Sequence, residues 1–426
     1  QDAGKSHARA RPHDQQHTAE ARRDGDPFAR VDLLTQQPAR ERDHDERSKE
    51  DDRDRIRYAK GGSNMRFLSF LFQILPMFLL GLMVLRRLEK SGASKAARAV
   101  AFLALLFGNT ACLFFNQYFG HGCSAVCALA LYLALLSDRV FLSAFFFGLG
   151  VLCEYSGALL LLPVLPIWVA GLRAARKPGI WLLEFVGGAL GPAIAWVVYH
   201  QYCFGSIWNI PNKFQNPAFV EQSGDRINVG GIFFLPSWDA VWGLTLSPSR
   251  GLLFTQPWVL LLLGAILFVK PVRQAALDRQ NYRSITLPLI FFALLFLMNS
   301  AFGGWHGGGT SGPRYLSAGL VLLAPVLGLL WDRFTPVLQN AAWGLVGLSV
   351  CLHLVFMSVY LALANPGIAL YQFYWDELHG ANGTTPALRM GLMIPIALAL
   401  LYRTWSRCLE VNNSRKKAAF SPAARQ

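Results

Sequence analysis

The 426-residue chain is too apolar for a water-soluble globular protein, because 53% of its residues are hydrophobic and only 15% are charged. Its formal net charge is +14, and the basic residues cluster at the ends of apolar runs, as topology signals of membrane proteins do. This composition indicates an all-α, polytopic membrane protein. The placement of the basic residues argues against nucleic acid as a partner.

Residues 1–64 differ from the rest of the chain. They contain as many acidic as basic residues and few apolar ones, so that the whole positive surplus belongs to residues 65–426. A segment such as "ERDHDERSKEDDRDRIRYAK" cannot bury enough apolar surface to fold, and we predict that residues 1–64 are disordered. No secretory signal is recognisable in it, and the first methionine, Met65, directly precedes the first apolar run. The segment is therefore either a genuine polar extension or not native to the protein.

The sequence from Met65 onward contains about eleven apolar runs that approach the length of about 20 residues needed to cross a bilayer as a helix. The predicted spans are 67–85, 99–115, 121–136, 140–154, 156–172, 180–199, 250–269, 285–302, 316–331, 341–364 and 387–402. Together they define a predicted transmembrane domain over residues 65–403.

The basic residues set the orientation of this predicted bundle. They fill the connections at 86–98, 173–177 and 270–283 and the tail at 404–426, all of which fall on one side when the chain crosses eleven times. The positive-inside rule makes that side cytoplasmic. The loops 200–249, 303–315 and 365–386, two of them rich in Trp, Tyr, Asn and Gly, are then external, and the expected location is the cytoplasmic (inner) membrane.

Two arginines at external span entrances are the first candidates for binding. Arg250 lies in "SPSRGLLF", and Arg314 ends the glycine-rich loop "GGWHGGGTSGPR", which also contains Trp305 and His306. Guanidinium donors suit two phosphate oxygens, and glycine lets backbone N–H groups approach an anion. The alternative for an arginine at this depth is an interfacial anchor whose guanidinium extends to the headgroups.

These stretches carry a family resemblance. "SPSRGLLFTQPWVLLLLG" followed by "GGWHGGGTSGPRYL", with "FFNQYFGHGCSAVCALALYL", "GLGVLCEYSGALLLLPVLP" and "YHQYCFGSIWN" before them, resembles bacterial membrane glycosyltransferases of the GT-C superfamily, which are related to protein O-mannosyltransferases and aminoarabinose transferases. The resemblance covers about residues 67–335. It implies transfer of a sugar from a polyprenyl-phosphate carrier to an acceptor outside the cytoplasmic membrane, with inversion. It also implies that Arg250 and Arg314 contact the carrier phosphate and that His306 and Trp305 line the donor site.

The chain departs from the family at the catalytic base. Members of the superfamily carry an aspartate in the first external loop, but the region that should supply this loop is the charged segment 1–64, where Asp32 has no membrane-like surroundings. Two other carboxylates remain as candidates, Glu154 in "LCEYSG" and Asp225 in the long external loop. The same loop offers Lys213 as a third cation for the donor.

Two other interpretations of the function remain open. A transporter or flippase of a lipid-linked saccharide would use the same arginines without a base, and a truncated, inactive enzyme would lack the base altogether.

His121 with Cys123 and Cys127 has a spacing that could mimic a metal site, but no further ligand converges on it, and small residues at this spacing usually pack helices. We therefore expect neither a metal nor another cofactor, and we expect a polyprenyl-phosphate-linked sugar and membrane lipids as partners.

Overall fold

The structure is a computed structural model that describes residues 66–115, 119–209, 235–307 and 312–359. The predicted segment 1–64, the predicted span 387–402 and the predicted tail 404–426 lie outside these residues. Within the described ranges the chain is all-helical. In chain order the α-helices are α1 (Leu75–Lys90), α2 (Lys95–Leu106), α3 (Ala111–Phe115), α4 (Gly120–Leu136), α5 (Val140–Cys153), α6 (Leu161–Ala174), α7 (Pro178–Phe204), α8 (Trp238–Thr245), α9 (Leu252–Thr255), α10 (Pro257–Phe268), α11 (Lys270–Leu277), α12 (Leu287–Ser300), α13 (Ser317–Leu330) and α14 (Pro336–Val359).

Six stretches of the described chain are long and apolar enough to cross a membrane, or seven if the pair α10 and α11, bent by 90°, counts as one span. The six are Arg66–Lys90, Tyr155–Ala174, Pro178–Phe204, Arg279–Ser300, Arg314–Arg333 and Pro336–Leu354. Two further apolar helices, α4 and α5, are shorter. These helices agree with the predicted all-α membrane protein, while the number of eleven spans stays a prediction.

The predicted span 99–115 is not one continuous helix. It consists of α2 and α3, separated by a turn at 107–110. The side chain of Asn109 causes this break, because its amide nitrogen donates to the carbonyl oxygens of Ala104 at 2.8 Å and Leu105 at 2.7 Å, and its oxygen accepts from the backbone of Ala111 at 2.9 Å. Asparagine thus satisfies backbone groups at a helix end and opens a gap in the apolar run.

Helix α13 lies at the centre of the bundle. It packs against α2, α4 and α12, and 83% of its apolar window is buried inside the protein, compared with 11% for α7. Two glycines allow the close packing, since a Cβ at Gly319 would lie 3.2 Å from the backbone of Phe292 and one at Gly328 would lie 2.8 Å from Leu88. Small residues at such crossings are typical of membrane helix pairs. Helix α13 therefore fixes the position of the short 3₁₀ turn that precedes it, which begins at Arg314.

Candidate functional site

Arg250 lies in a tight turn between α8 and α9. The Ser247 and Ser249 hydroxyl oxygens are 2.9 Å apart, and the Gly251 N–H donates to the Ser247 carbonyl oxygen at 2.8 Å. A Cβ at Gly251 would lie only 2.7 Å from backbone atoms of Ser247, so the turn requires glycine at this position. The "SPSRG" sequence therefore directs the Arg250 side chain through its local backbone geometry.

The Arg250 side chain is buried without a partner. It is 1% exposed, and within the described residues none of its three guanidinium nitrogens has a hydrogen-bond partner. The positive charge of Arg314 is near enough to act on this guanidinium. A buried cation without a counter-ion costs several kcal/mol of free energy.

Arg314 lies in the short 3₁₀ turn that leads into α13. Its Nη2 donates to the Tyr315 hydroxyl at 2.8 Å, and its guanidinium carbon lies 4.8 Å from the centre of the Tyr315 ring. The aliphatic part of Arg314 packs against Gly307, where φ is +69° and a Cβ would lie 3.1 Å from Arg314 Nε. Arg314 Nε is buried and has no hydrogen-bond partner in the described part of the chain. Glycine at 307 thus makes room for the second cation.

The glycine-rich loop brings an aromatic residue and a histidine to the arginines. The Trp305 indole packs against α8 at Gly243, where a Cβ would lie 2.1 Å from the ring, and its centroid is 5.8 Å from that of His306. Burial lowers the pKa of His306, and the charges of Arg250 and Arg314 lower it further. Both effects favour the neutral form of His306, which can donate a hydrogen bond or accept one without adding a third charge.

The turn between α2 and α3 forms hydrogen bonds with segments that lie next to the two arginines. The Gln256 side chain accepts from the backbone N–H of Thr110 at 3.1 Å and donates to the Thr110 hydroxyl at 2.9 Å, while the Trp258 indole donates to the carbonyl oxygen of Gly108. Gly312, with φ of +101°, approaches Thr110 so closely that a Cβ would lie 3.0 Å from its hydroxyl oxygen. These contacts join the turn at 107–110 to the segments that follow Arg250 and precede Arg314.

A carboxylate lies at the same end of the bundle. Glu154 occupies the connection after α5, and its Oε2 is 3.1 Å from Nδ1 of His121, at the start of α4. The side chains are 14% and 12% exposed. The His121 ring contacts the Tyr315 ring edge to face, with 5.3 Å between centroids, so that Tyr315 separates this pair from Arg314.

The structure thus brings together four of the residues that the sequence singled out for binding: Arg250, Arg314, Trp305 and His306. Lys213 and Asp225 belong to residues 210–234, outside the described part of the chain. Sequence reasoning did not assign a role to Tyr315, although it directly follows Arg314. It considered His121 only as a metal ligand, whereas the histidine contacts Glu154.

The site places two guanidinium groups near a histidine and an indole. Neither Arg250 nor Arg314 pairs with a carboxylate of the described residues. The described ranges also contain no group of three His, Cys, Asp or Glu side chains that could hold a metal ion. Comparisons of the chain with known protein families, with curated proteins and with solved structures find no match.

Proposed function

We propose that this protein is a glycosyltransferase of the cytoplasmic membrane that transfers a sugar from a polyprenyl-phosphate carrier to an acceptor on the outer face. In this proposal the chain crosses the membrane eleven times, the basic connections are cytoplasmic, and Arg250, Arg314, Trp305 and His306 lie on the external side. The resemblance of the "SPSRGLLF" and "GGWHGGGTSGPRYL" segments to GT-C glycosyltransferases supplies the reaction. The geometry of the arginines supports the carrier phosphate as the ligand.

The buried guanidinium of Arg250, which has no hydrogen-bond partner in the described part of the chain, is the observation that carries this proposal. An anchoring arginine would extend its guanidinium to the membrane surface, where water and headgroups solvate it. Arg250 is withdrawn from solvent, and a second cation, Arg314, is close enough to repel its charge. Two guanidinium groups present donors in fixed planes that match the oxygens of one phosphate. A phosphate on a lipid chain would therefore compensate both charges at once.

The same groups would assist sugar transfer. As the bond between the sugar and the carrier phosphate breaks, negative charge grows on the departing phosphate, and prearranged cations lower the energy of that state. Neutral His306 adds a hydrogen-bonding group without repelling the arginines. Trp305, held against Gly243, offers an aromatic face next to the donor.

The first test measures binding to the purified protein in nanodiscs of neutral phosphatidylcholine. The probes are a polyprenyl phosphate and the polyprenol of the same chain length, which lacks only the phosphate. We expect the phosphate to bind at least about tenfold more tightly, and we expect Arg250→Gln to abolish this preference. Arg176→Gln, which removes an exposed arginine elsewhere, serves as the matched control. Equal binding of both lipids would refute the phosphate site.

The second test distinguishes transfer from transport. The protein is incubated with polyprenyl-phosphate donors that carry a labelled sugar and with a cell-envelope extract as acceptor. We expect label to move to the acceptor as free polyprenyl phosphate is released. Movement of the intact labelled lipid between leaflets without release would favour the transporter instead.

A further inference from the structure

Glu154 is a carboxylate kept out of water at the external end of two apolar helices. The backbone at Glu154 is extended, with φ of −158° and ψ of 120°, which ends α5 and directs the side chain toward the start of α4. Its Oε1 atom is buried and has no hydrogen-bond partner within the ranges that the structure describes. A buried carboxylate oxygen in this state costs free energy, and that cost is retained in few places other than functional sites.

The contact between Glu154 and His121 depends on the glycines that flank the histidine in "GHG". A Cβ at Gly120 would lie 2.8 Å from the carbonyl oxygen of Cys153, and one at Gly122 would lie 2.0 Å from the side-chain oxygen of Gln73. With any larger residue at 120, the start of α4 could not approach the end of α5 this closely. The sequence therefore provides space for one imidazole to meet one carboxylate.

The His121 imidazole lies next to the Glu154 carboxylate. Nδ1 of His121 lies 3.1 Å from Oε2, but the pair lacks the alignment of a hydrogen bond. The other face of the histidine is fixed by aromatic contacts, with centroid distances of 5.3 Å to both Phe114 and Tyr315. His121 thus stands between Glu154 and the ring of Tyr315, which in turn contacts Arg314.

The contacts run in the order Glu154, His121, Tyr315, Arg314, so the His121 and Tyr315 rings separate the carboxylate from the cation proposed to bind phosphate. Displacement with inversion needs this separation, because the acceptor attacks the anomeric carbon from the side opposite to the departing phosphate. The proton acceptor must therefore lie away from the arginines, on the acceptor side of the sugar. Oε1 of Glu154 has no hydrogen-bond partner within the described residues and therefore retains its capacity to accept a proton from a hydroxyl group.

We propose that Glu154 is the general base of the reaction and that His121 is its positioning residue; this inference rests on the glycosyltransferase function proposed above. The acceptor hydroxyl donates its proton to Glu154 Oε1 as its oxygen forms a bond to the anomeric carbon. The bond between that carbon and the carrier oxygen breaks, and its electron pair leaves with the phosphate, which Arg250 and Arg314 hold. The proton later passes from the carboxyl group to water. Atoms and charges balance without a metal or a redox partner.

The test compares donor binding and single-turnover transfer in the full-length protein. Glu154→Gln keeps the size of the side chain but removes the base, and we expect transfer to fall by a factor of about 100 or more while the Kd of the donor changes less than about twofold. Glu154→Asp should recover part of the rate. Glu184→Gln, at an exposed carboxylate of α7, is the matched control and should leave both quantities unchanged.

The histidine is tested by the split between kcat and KM. We expect His121→Leu to lower kcat about tenfold with the donor KM unchanged, and His121→Asn, whose amide nitrogen can take the place of Nδ1, to restore much of it. A purely structural role would instead lower the unfolding temperature of both variants together and leave the kcat of the folded fraction intact.

The outcomes separate this inference from the function on which it rests. If the wild-type protein transfers sugar and Glu154→Gln does so at the same rate, Glu154 is not the base, but the glycosyltransferase stands. If the wild-type protein binds the phosphate lipid but transfers no sugar from any donor, both the function and its base are refuted. A loss of donor binding in Glu154→Gln, equal to that in Arg250→Gln, would assign Glu154 to donor binding and would overturn its role as base.

Discussion

Arginines at the two ends of the bundle are in opposite physical states. At the end that the charge pattern predicts to be cytoplasmic, Arg98 pairs with Glu89 and Arg283 with Asp138, and both carboxylates are largely exposed. At the other end Arg250 is buried and Arg314 is partly buried, and neither pairs with a carboxylate of the described chain. The first group has the solvation expected of topology signals. The second group bears an energetic cost that orientation alone does not require.

The difference shows that net charge and local burial carry separate information. The surplus of +14 by itself indicates only how a membrane protein is oriented. The candidate site is recognised by its burial and by the lack of a paired carboxylate for either arginine within the described residues. The comparison is open to experiment, because changes at the two ends should affect ligand binding and stability differently.

The largest difference is expected for Arg250→Met compared with Arg98→Gln. Methionine removes the buried charge and retains apolar bulk, so we expect the free energy of unfolding to rise by about 1 to 3 kcal/mol while binding of polyprenyl phosphate falls at least about 100-fold. Arg98→Gln should change neither quantity appreciably, because water already solvates its partner Glu89, whose side chain is 63% exposed. Thermal unfolding in detergent and lipid titration measure the two effects. If Arg250→Met were less stable than the wild-type protein and still bound the phosphate, Arg250 would stabilise the fold and would not be a phosphate ligand.

The sequence predicts part of this arrangement and not the rest. Apolar runs and basic connections predict an all-α membrane protein because both are local properties, and four of the binding candidates were chosen from two short stretches around Arg250 and Arg314. The break at Asn109 was missed because a single asparagine interrupts the hydrophobic pattern too briefly to split a run. The neighbourhood of Glu154 and His121 was also missed, since their contact depends on how α4 meets α5 and not on spacing along the chain.

Arg314→Lys should have the next largest effect. Lysine keeps the charge but loses the planar guanidinium that contacts the Tyr315 ring and donates to its hydroxyl. We expect binding of polyprenyl phosphate to weaken about tenfold. Arg333→Lys, an exposed arginine after α13, is the matched control and should bind as the wild-type protein does. The same loss in both variants would mean that binding responds to overall charge and not to the site.

His306 predicts a smaller, pH-dependent effect. Burial and the two arginines lower the pKa of His306 below its ordinary value of 6.5, and a bound phosphate would raise the pKa again by offsetting their charge. Binding then takes up protons, so affinity should increase about three- to tenfold as the pH falls from 8 to 5.5. A sugar-linked carrier is the required probe because its phosphodiester does not titrate in this range, whereas a phosphate monoester does. His306→Gln should make the affinity independent of pH; an unchanged pH profile in this variant would exclude His306 as the titrating group.

The smallest effect is expected at the opposite end, from Arg283→Gln. This substitution breaks the pair with Asp138, whose side chain is 78% exposed, and it removes a contact between Arg283 and the carbonyl oxygen of Leu135. Exposed pairs contribute about 0.2 to 1 kcal/mol, because water already solvates both charges. We therefore expect the free energy of unfolding to fall by less than about 1 kcal/mol and phosphate binding to stay within twofold. A large loss of binding would mean that the two ends are coupled, and the separation between orienting and ligand-binding arginines would then fail.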